Sequence, residues 1–111
     1  MSKKLPPVTH LQFLVLDAIG ETERAGRDLR GVLADHGIRN SGPAFYQMMG
    51  RLEEAGFVEG WYDGKVIDRQ HVKERRYRLT RAGARAADDT RAFYLERAAA
   101  AARHVRKGSH V

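Results

Sequence analysis

Residues 45–62 read FYQMMGRLEEAGFVEGWY, and the hydrophobic period changes inside them. Up to Ala55 the apolar side chains recur every three or four residues, so Phe45, Met48, Met49, Leu52 and Ala55 fall on one face of a helix. After Gly56 the stretch Phe57-Val58-Glu59-Gly60-Trp61-Tyr62 alternates and is rich in aromatics, as a strand is. A helix that passes into a strand at one glycine restricts the fold, because the strand needs a partner. The returning strand is VKERRYRLT, residues 72–80. It puts Tyr77 and Leu79 on one face and Arg76 and Arg78 on the other. A long hairpin that pivots near Arg69 sets Trp61 opposite Tyr77 and Glu59 opposite Leu79, with a bulge at Gly64. A tighter turn at Asp63-Gly64 is the alternative, but it leaves residues 65–71 without a place.

Upstream of this switch the pattern is helical. Thr9-His10-Leu11-Gln12 fits a capping box, with Val8 and Phe13 placed as a hydrophobic staple. Leu11, Leu14, Val15, Ala18 and Ile19 then form one stripe, and Gly20 ends the helix. A polar link, residues 21–25, leads to a second helix from about Gly26 to His36, with Leu29, Val32 and Leu33 on its apolar face. Ser41 is the expected N-cap of the third helix, and a first-turn Pro43 loses no hydrogen bond that the helix needs. Downstream, Thr80 caps a last helix expected from Arg81 to about Arg106. At 1.5 Å per residue that is about 38 Å, more than so small a body needs. The end of the chain, 108–111, is expected to fray.

Composition sets the outer bounds. With 111 residues, 42% of them apolar and 31% charged, the chain suits one domain with a modest core. No apolar run approaches a membrane span, and MSKKLPPVTH lacks the apolar segment of a secretory signal. The absence of cysteine removes disulfides and thiolate metal sites, and a cytoplasmic location is the expectation. The charge is uneven. Residues 1–55 carry seven basic and seven acidic side chains, whereas residues 56–111 carry thirteen against seven, the whole excess of +6. Arg69, Lys73, Arg75, Arg76, Arg78, Arg81 and Arg85 crowd into the hairpin and the helix start. Such a cluster is either a surface for a polyanion or a solvated face.

The order α-α-α-β-β-α is that of a winged helix-turn-helix: mainly α with a β-hairpin wing (α+β) and a long C-terminal helix. In such a module the third helix enters the major groove and the wing reaches the backbone or minor groove. The segments GPAFYQMMGRLEEAGFVEGWY and ERRYRLTRAGARA carry a further resemblance. Tyr46, Arg51-Leu52-Glu53, Gly56 and the run from Tyr77 to Gly83 (Tyr-x-Leu-Thr-x-x-Gly) resemble the PadR family of bacterial transcriptional regulators. The resemblance covers roughly residues 8–95. It implies a homodimer joined through the last helix that binds a palindromic operator in double-stranded DNA, usually as a repressor. It also implies that any small-molecule effector sits at the dimer interface. The chain departs from the family at Pro43-Ala44, where Gly-Thr is common, so a hydroxyl is lost and Ser41 is placed to substitute for it.

On this reading residues 1–80 form the DNA-binding part and 81–107 the dimerisation helix. The third helix would present Ser41, Ala44, Tyr46, Gln47 and Arg51 to DNA, and the wing Arg69, Lys73, Arg75 and Arg76. Phe93, Tyr94, Leu95 and Ala98 would join two copies. Bland readings stand beside these. Phe45, Met48, Met49 and Leu52 are core, Trp61 is hairpin packing, and Tyr46 is either a core-edge residue or a phosphate donor. The five histidines lack metal-ligand spacing. Glu53-Glu54 and Asp88-Asp89 are adjacent on helices and do not converge as an acid–base pair would. Neither enzymatic activity, nor a cofactor, nor a metal is expected. Two alternatives remain: a winged-helix protein–protein interaction module without operator binding, which would need an acidic or apolar third-helix face, and RNA binding.

Overall fold

The computed structural model describes residues 5–108 and places four helices around a small antiparallel sheet. The order is α1 His10–Ile19, β1 Glu23–Ala25, α2 Gly26–Asp35, α3 Gly42–Glu54, β2 Val58–Ile67, β3 Gln70–Leu79 and α4 Arg81–Gly108, with the strands arranged β1-β3-β2. This is a winged helix with a long C-terminal helix. Local chemistry sets most boundaries. The Thr9 hydroxyl accepts from the Gln12 amide at 3.2 Å while the Gln12 side chain accepts from the Thr9 amide at 2.9 Å, closing the capping box. Ser41 Oγ accepts from the Ala44 amide at 3.2 Å and so caps α3, with Pro43 in the first turn. Gly20 and Gly56 leave α1 and α3 at φ 58° and 80°, where a side chain would be strained.

The core lies between the three short helices and the root of the sheet. Leu16, Leu29, Phe45, Met49 and Tyr77 are among its buried members, each worth about 1.5–3 kcal/mol of transfer free energy for an aliphatic or Phe side chain. Leu16 is buried although it lies outside the expected α1 stripe, because α2 and α4 both pack on α1 and widen its covered face. Ala55, expected to point inward, is exposed at the end of α3.

Two features of the sheet differ from expectation. The link before α2 holds a strand: Glu23, Arg24 and Ala25 pair with Arg78, Tyr77 and Arg76 of β3, so the sheet has three strands and not two. The hairpin is also one residue out of the expected register. Trp61 faces Arg76, Gly60 faces Tyr77, and the pairing runs unbroken from Val58↔Leu79 to Ile67↔Gln70, with no bulge at Gly64. The cause is the turn. Asp68 and Arg69 have φ of 51° and 64°, the two positive values of a two-residue turn whose twist matches that of the strands.

At the other end of the sheet, α4 begins on a knot. The Thr80 hydroxyl donates to the Gly56 carbonyl at 2.6 Å and accepts from the Gly83 amide at 3.0 Å, and the Thr80 amide donates to the Phe57 carbonyl at 3.1 Å. Any Cβ on Gly83 would penetrate the Phe57 carbonyl, so α4 approaches β2 this closely only with glycine there. The helix has 28 residues, about 42 Å at 1.5 Å each. Its first ten residues hold all its buried side chains among those described, and beyond them it is tied to α1 by the Arg91–Asp17 ion pair at 2.7 Å and by Tyr94 against His10 and Phe13. The remainder projects, which gives the molecule extents of 69 × 28 × 22 Å. The helix runs through Gly108, past the expected end near Arg106; the rest of the segment expected to fray, 109–111, lies outside the described residues.

Replacing Gly83 with Ala should therefore lower stability by about 1–3 kcal/mol, the usual range for overpacking. Gly31, on the open side of α2 where an added Cβ would meet nothing within 4 Å, provides the control. Gly31→Ala should raise stability by about 0.5–1 kcal/mol. Urea unfolding of the two variants checks both signs.

Candidate nucleic-acid interface

The outward side of α3 carries Ser41, Ala44, Gln47 and Arg51, all exposed. They are outward because Phe45, Met48, Met49 and Leu52 are buried on the opposite side. Ser41 uses an oxygen lone pair in capping, so its hydroxyl hydrogen is still available to an acceptor outside the helix. Tyr46 stands at the border with 40% of its surface exposed. Its ring meets Phe45 edge-on at 5.0 Å, and its hydroxyl lies over the Cα of Gly26, the first residue of α2. The absence of a side chain at Gly26 is what lets α2 and α3 meet through this tyrosine.

The wing is basic, but its charges are not equivalent. Glu74 is mostly buried and gathers three cations: Arg27 of α2 at 2.9 Å, Arg76 at 3.0 Å and Lys65 at 3.1 Å. The hydrogen bond from Lys65, opposed by burial and reinforced by Arg76 and Arg27, holds its carboxyl below the ordinary value of 4.5. Arg76 also pairs with Glu23 of β1 at 3.1 Å. Arg75 pairs with Glu53 of α3 at 2.6 Å and lies over the rings of Tyr62 and Tyr77. Burial works against its charge, but contacts with Tyr77 and Glu53 outweigh burial and raise its pKa. Arg78 is held by Glu59 at 2.7 Å and lies over Trp61. Arg69 in the turn and Lys73, opposite Gly64 on β3, have no ion-pair partner among the described residues. Arg75 and Arg76 would have to give up a carboxylate before meeting a phosphate; Arg69 and Lys73 would not.

Basic residues not anticipated from the sequence complete the surface. Arg27 and Arg30 of α2, with Arg39 and Asn40 of the following turn, line a cavity of about 500 Å³ next to the start of α3. Arg30 donates to the Asn40 carbonyl at 3.3 Å. The neutral total of residues 1–55 concealed these arginines; their i, i+3 spacing opposite Leu29 and Leu33 was the available signal. Among the described residues no group of three His, Asp or Glu side chains could hold a metal ion, and no helix is long and apolar enough to cross a membrane.

The sequence matches no family model and no curated protein. The structure is similar to a PadR-family transcriptional regulator from Eggerthella lenta, with 26% identity over 86% of this chain and 80% of that one and a TM-score of 0.67. A PadR-like transcriptional regulator from Bacillus cereus shares 19% identity over 86% and 90% of the two chains, with a TM-score of 0.70. The fold of the chain is PadR-like. Bacillus subtilis PadR, solved in complex with operator DNA, matches over 75% of this chain but only 47% of its own length, with 17% identity and a TM-score of 0.59.

The PadR-like motif has a physical account in this chain. Tyr77 fills the core above Gly60, Thr80 ties the two ends of the wing root, and Gly83 admits α4. The residues proposed for joining two copies divide. Tyr94 packs edge-on against His10 and beside Phe13 of its own α1, whereas Leu95 is 66% exposed and Ala98 is open. Phe93 and Ala100 line a groove of about 780 Å³ between α4 and residues 5–7.

Because the folded-state pKa of Glu74 is depressed, its contribution to stability is present above 4.5 and is lost as pH falls through the folded value. Glu74→Gln should be less stable than the wild type at about pH 6–7. The gap should narrow steadily below about pH 4.5. Urea melts across that range check it; a constant gap would mean that Glu74 is not charged in the folded chain.

Proposed function

We propose that this PadR-like chain is a sequence-specific DNA-binding transcriptional regulator that acts as a homodimer, most simply as a repressor on a palindromic operator. The observation that supports this most is the pairing of an exposed, nearly uncharged α3 face with a wing tip whose Arg69 and Lys73 are unencumbered. Base reading falls to Gln47 and Arg51, since Gln can bond adenine and Arg guanine through two hydrogen bonds each. Ala44 offers a methyl-sized surface for a thymine. Ser41 positions α3 against the backbone, and Tyr46 does so through its hold on α2. Phosphate affinity falls to Arg69, Lys73 and Arg30 of α2, whereas Arg27 is engaged by Glu74. Selecting duplexes from a random pool, then measuring binding at two salt concentrations, tests the reading. An interaction module would retain no duplex above background, and an RNA binder would prefer single strands or A-form helices.

Gln47→Ala should relax base preference at one position in each half-site, worth about 1–3 kcal/mol there, while non-specific binding is nearly unchanged. Replacing Arg69 and Lys73 together with Ala should weaken all duplexes alike and flatten the salt dependence by about two units of log–log slope per protomer, about four for the dimer. Fluorescence anisotropy on single-base operator variants separates the two. Unaltered base ranking in Gln47→Ala would remove Gln47 as a base reader.

The projecting part of α4 supports the dimer. Leu95 and Val105 are each about two-thirds exposed on a helix that its own domain does not cover, and Phe93 and Ala98 extend that surface. The groove between α4 and residues 5–7 is the place this reading assigns to an effector, and the cytoplasm is the matching location. Leu95→Asp should shift the chain to a monomer in sedimentation and reduce operator affinity at least tenfold, because a single half-site loses the avidity of two. A wild-type chain that sediments as a monomer at micromolar concentration would remove the dimer.

A further inference from the structure

Consecutive wing residues Glu74 and Arg75 point to opposite faces of β3, and each reaches a different helix of the helix-turn-helix. Glu74 binds Arg27 of α2, and Arg75 binds Glu53 of α3. The second contact occupies a built slot. Arg75 lies 4.9 Å from the Tyr62 ring centre and 5.5 Å from that of Tyr77. Gly60 forms the wall: a Cβ there would collide with Glu53 Oε1, the Arg75 guanidinium and the edge of Tyr77. Glu53 and Arg75 are also both more than two-thirds covered, unlike the ion pair of Arg78 with Glu59.

We infer that Arg75 is a positioning residue: with Glu53 it braces the wing against the recognition helix, so that the Arg69–Lys73 tip and the Gln47 face meet one duplex together. This rests on the DNA-binding reading above, but the brace also has a consequence without DNA. The Glu74–Arg27 pair still holds the wing to α2, so releasing Arg75 from Glu53 loosens the hairpin on its α3 side. Glu53 then does something that charge alone does not foresee. Its carboxylate adds negative charge near DNA, yet it supports binding.

Glu53→Gln, Arg75→Gln and the double variant separate a brace from a phosphate ligand. For a brace, each single change weakens binding to the selected duplex roughly fivefold, and the double is no weaker than either single, as for two members of one interaction. The salt slope on an unrelated duplex should stay at its wild-type value. For a ligand, Glu53→Gln binds more tightly and Arg75→Gln flattens the slope by about one unit per protomer; that outcome overturns the inference. Amide hydrogen exchange on the DNA-free chain supplies the independent arm. Glu53→Gln should speed exchange in residues 61–66 and 71–76 about fivefold and leave α1 unchanged. If the wild-type chain retains no duplex, the DNA-binding reading falls and exchange alone decides the brace. Equal wing exchange in wild type and Glu53→Gln overturns it.

Discussion

The Thr80 hydroxyl donates to the Gly56 carbonyl and accepts from the Gly83 amide, and through those two bonds three elements meet at one point. The end of α3, the root of the wing and the start of α4 are all fixed there. The close approach of Gly83 to Phe57 allows no looser arrangement, because α4 rests on backbone and not on a side chain that could turn aside. From this knot α3 runs to one side, the hairpin to another and α4 outward. The relative directions of the proposed reading helix, phosphate-gripping wing and dimerisation arm follow from one threonine and two glycines.

The arginines of β3 show why the amount of charge and its use are separate questions. Four basic residues between Lys73 and Arg78 suggest a surface built for a polyanion, yet Arg75, Arg76 and Arg78 each bind a carboxylate from another part of the chain. A pair such as Arg78–Glu59, exposed on both sides, is worth about 0–1 kcal/mol and would yield readily to a phosphate. The Glu74 cluster differs, because three cations share one covered carboxylate and losing it would leave them facing one another. The wing therefore has a stiff, internally neutralised stem and a cationic tip.

How much of this was legible in the sequence depended on how local the cause was. The starts of α1, α3 and α4 were legible because Thr9, Ser41 and Thr80 act on amides three residues away. The ends at Gly20 and Gly56 were legible because each needs a positive φ. β1 was not, since three residues cannot show a period and its partner lies more than fifty residues downstream. The register missed by one because the conformation of Asp68 and Arg69 decides it, and neither is the glycine that usually marks such a turn. The recognition-helix face was legible as the complement of a clear apolar stripe. The partners of Arg75 and Arg76 were not, since many carboxylates could have served and only the fold selects among them.

The two-residue turn has a further bearing on how such a wing can change over evolutionary time. Side chains alternate along each strand, so inserting one residue on one side of Asp68-Arg69 would turn every later side chain over and exchange the faces of Glu74 and Arg75. Adding or removing one residue on both strands keeps the pairing, but it shifts the tip by about 3.3 Å. A change confined between the Glu74 level and the turn leaves both ion-paired anchors where they are. Wing length is thus free to vary only in matched steps at the outer end. Related chains could lengthen or shorten their reach along DNA in increments close to the rise of a single base pair, without disturbing the stem.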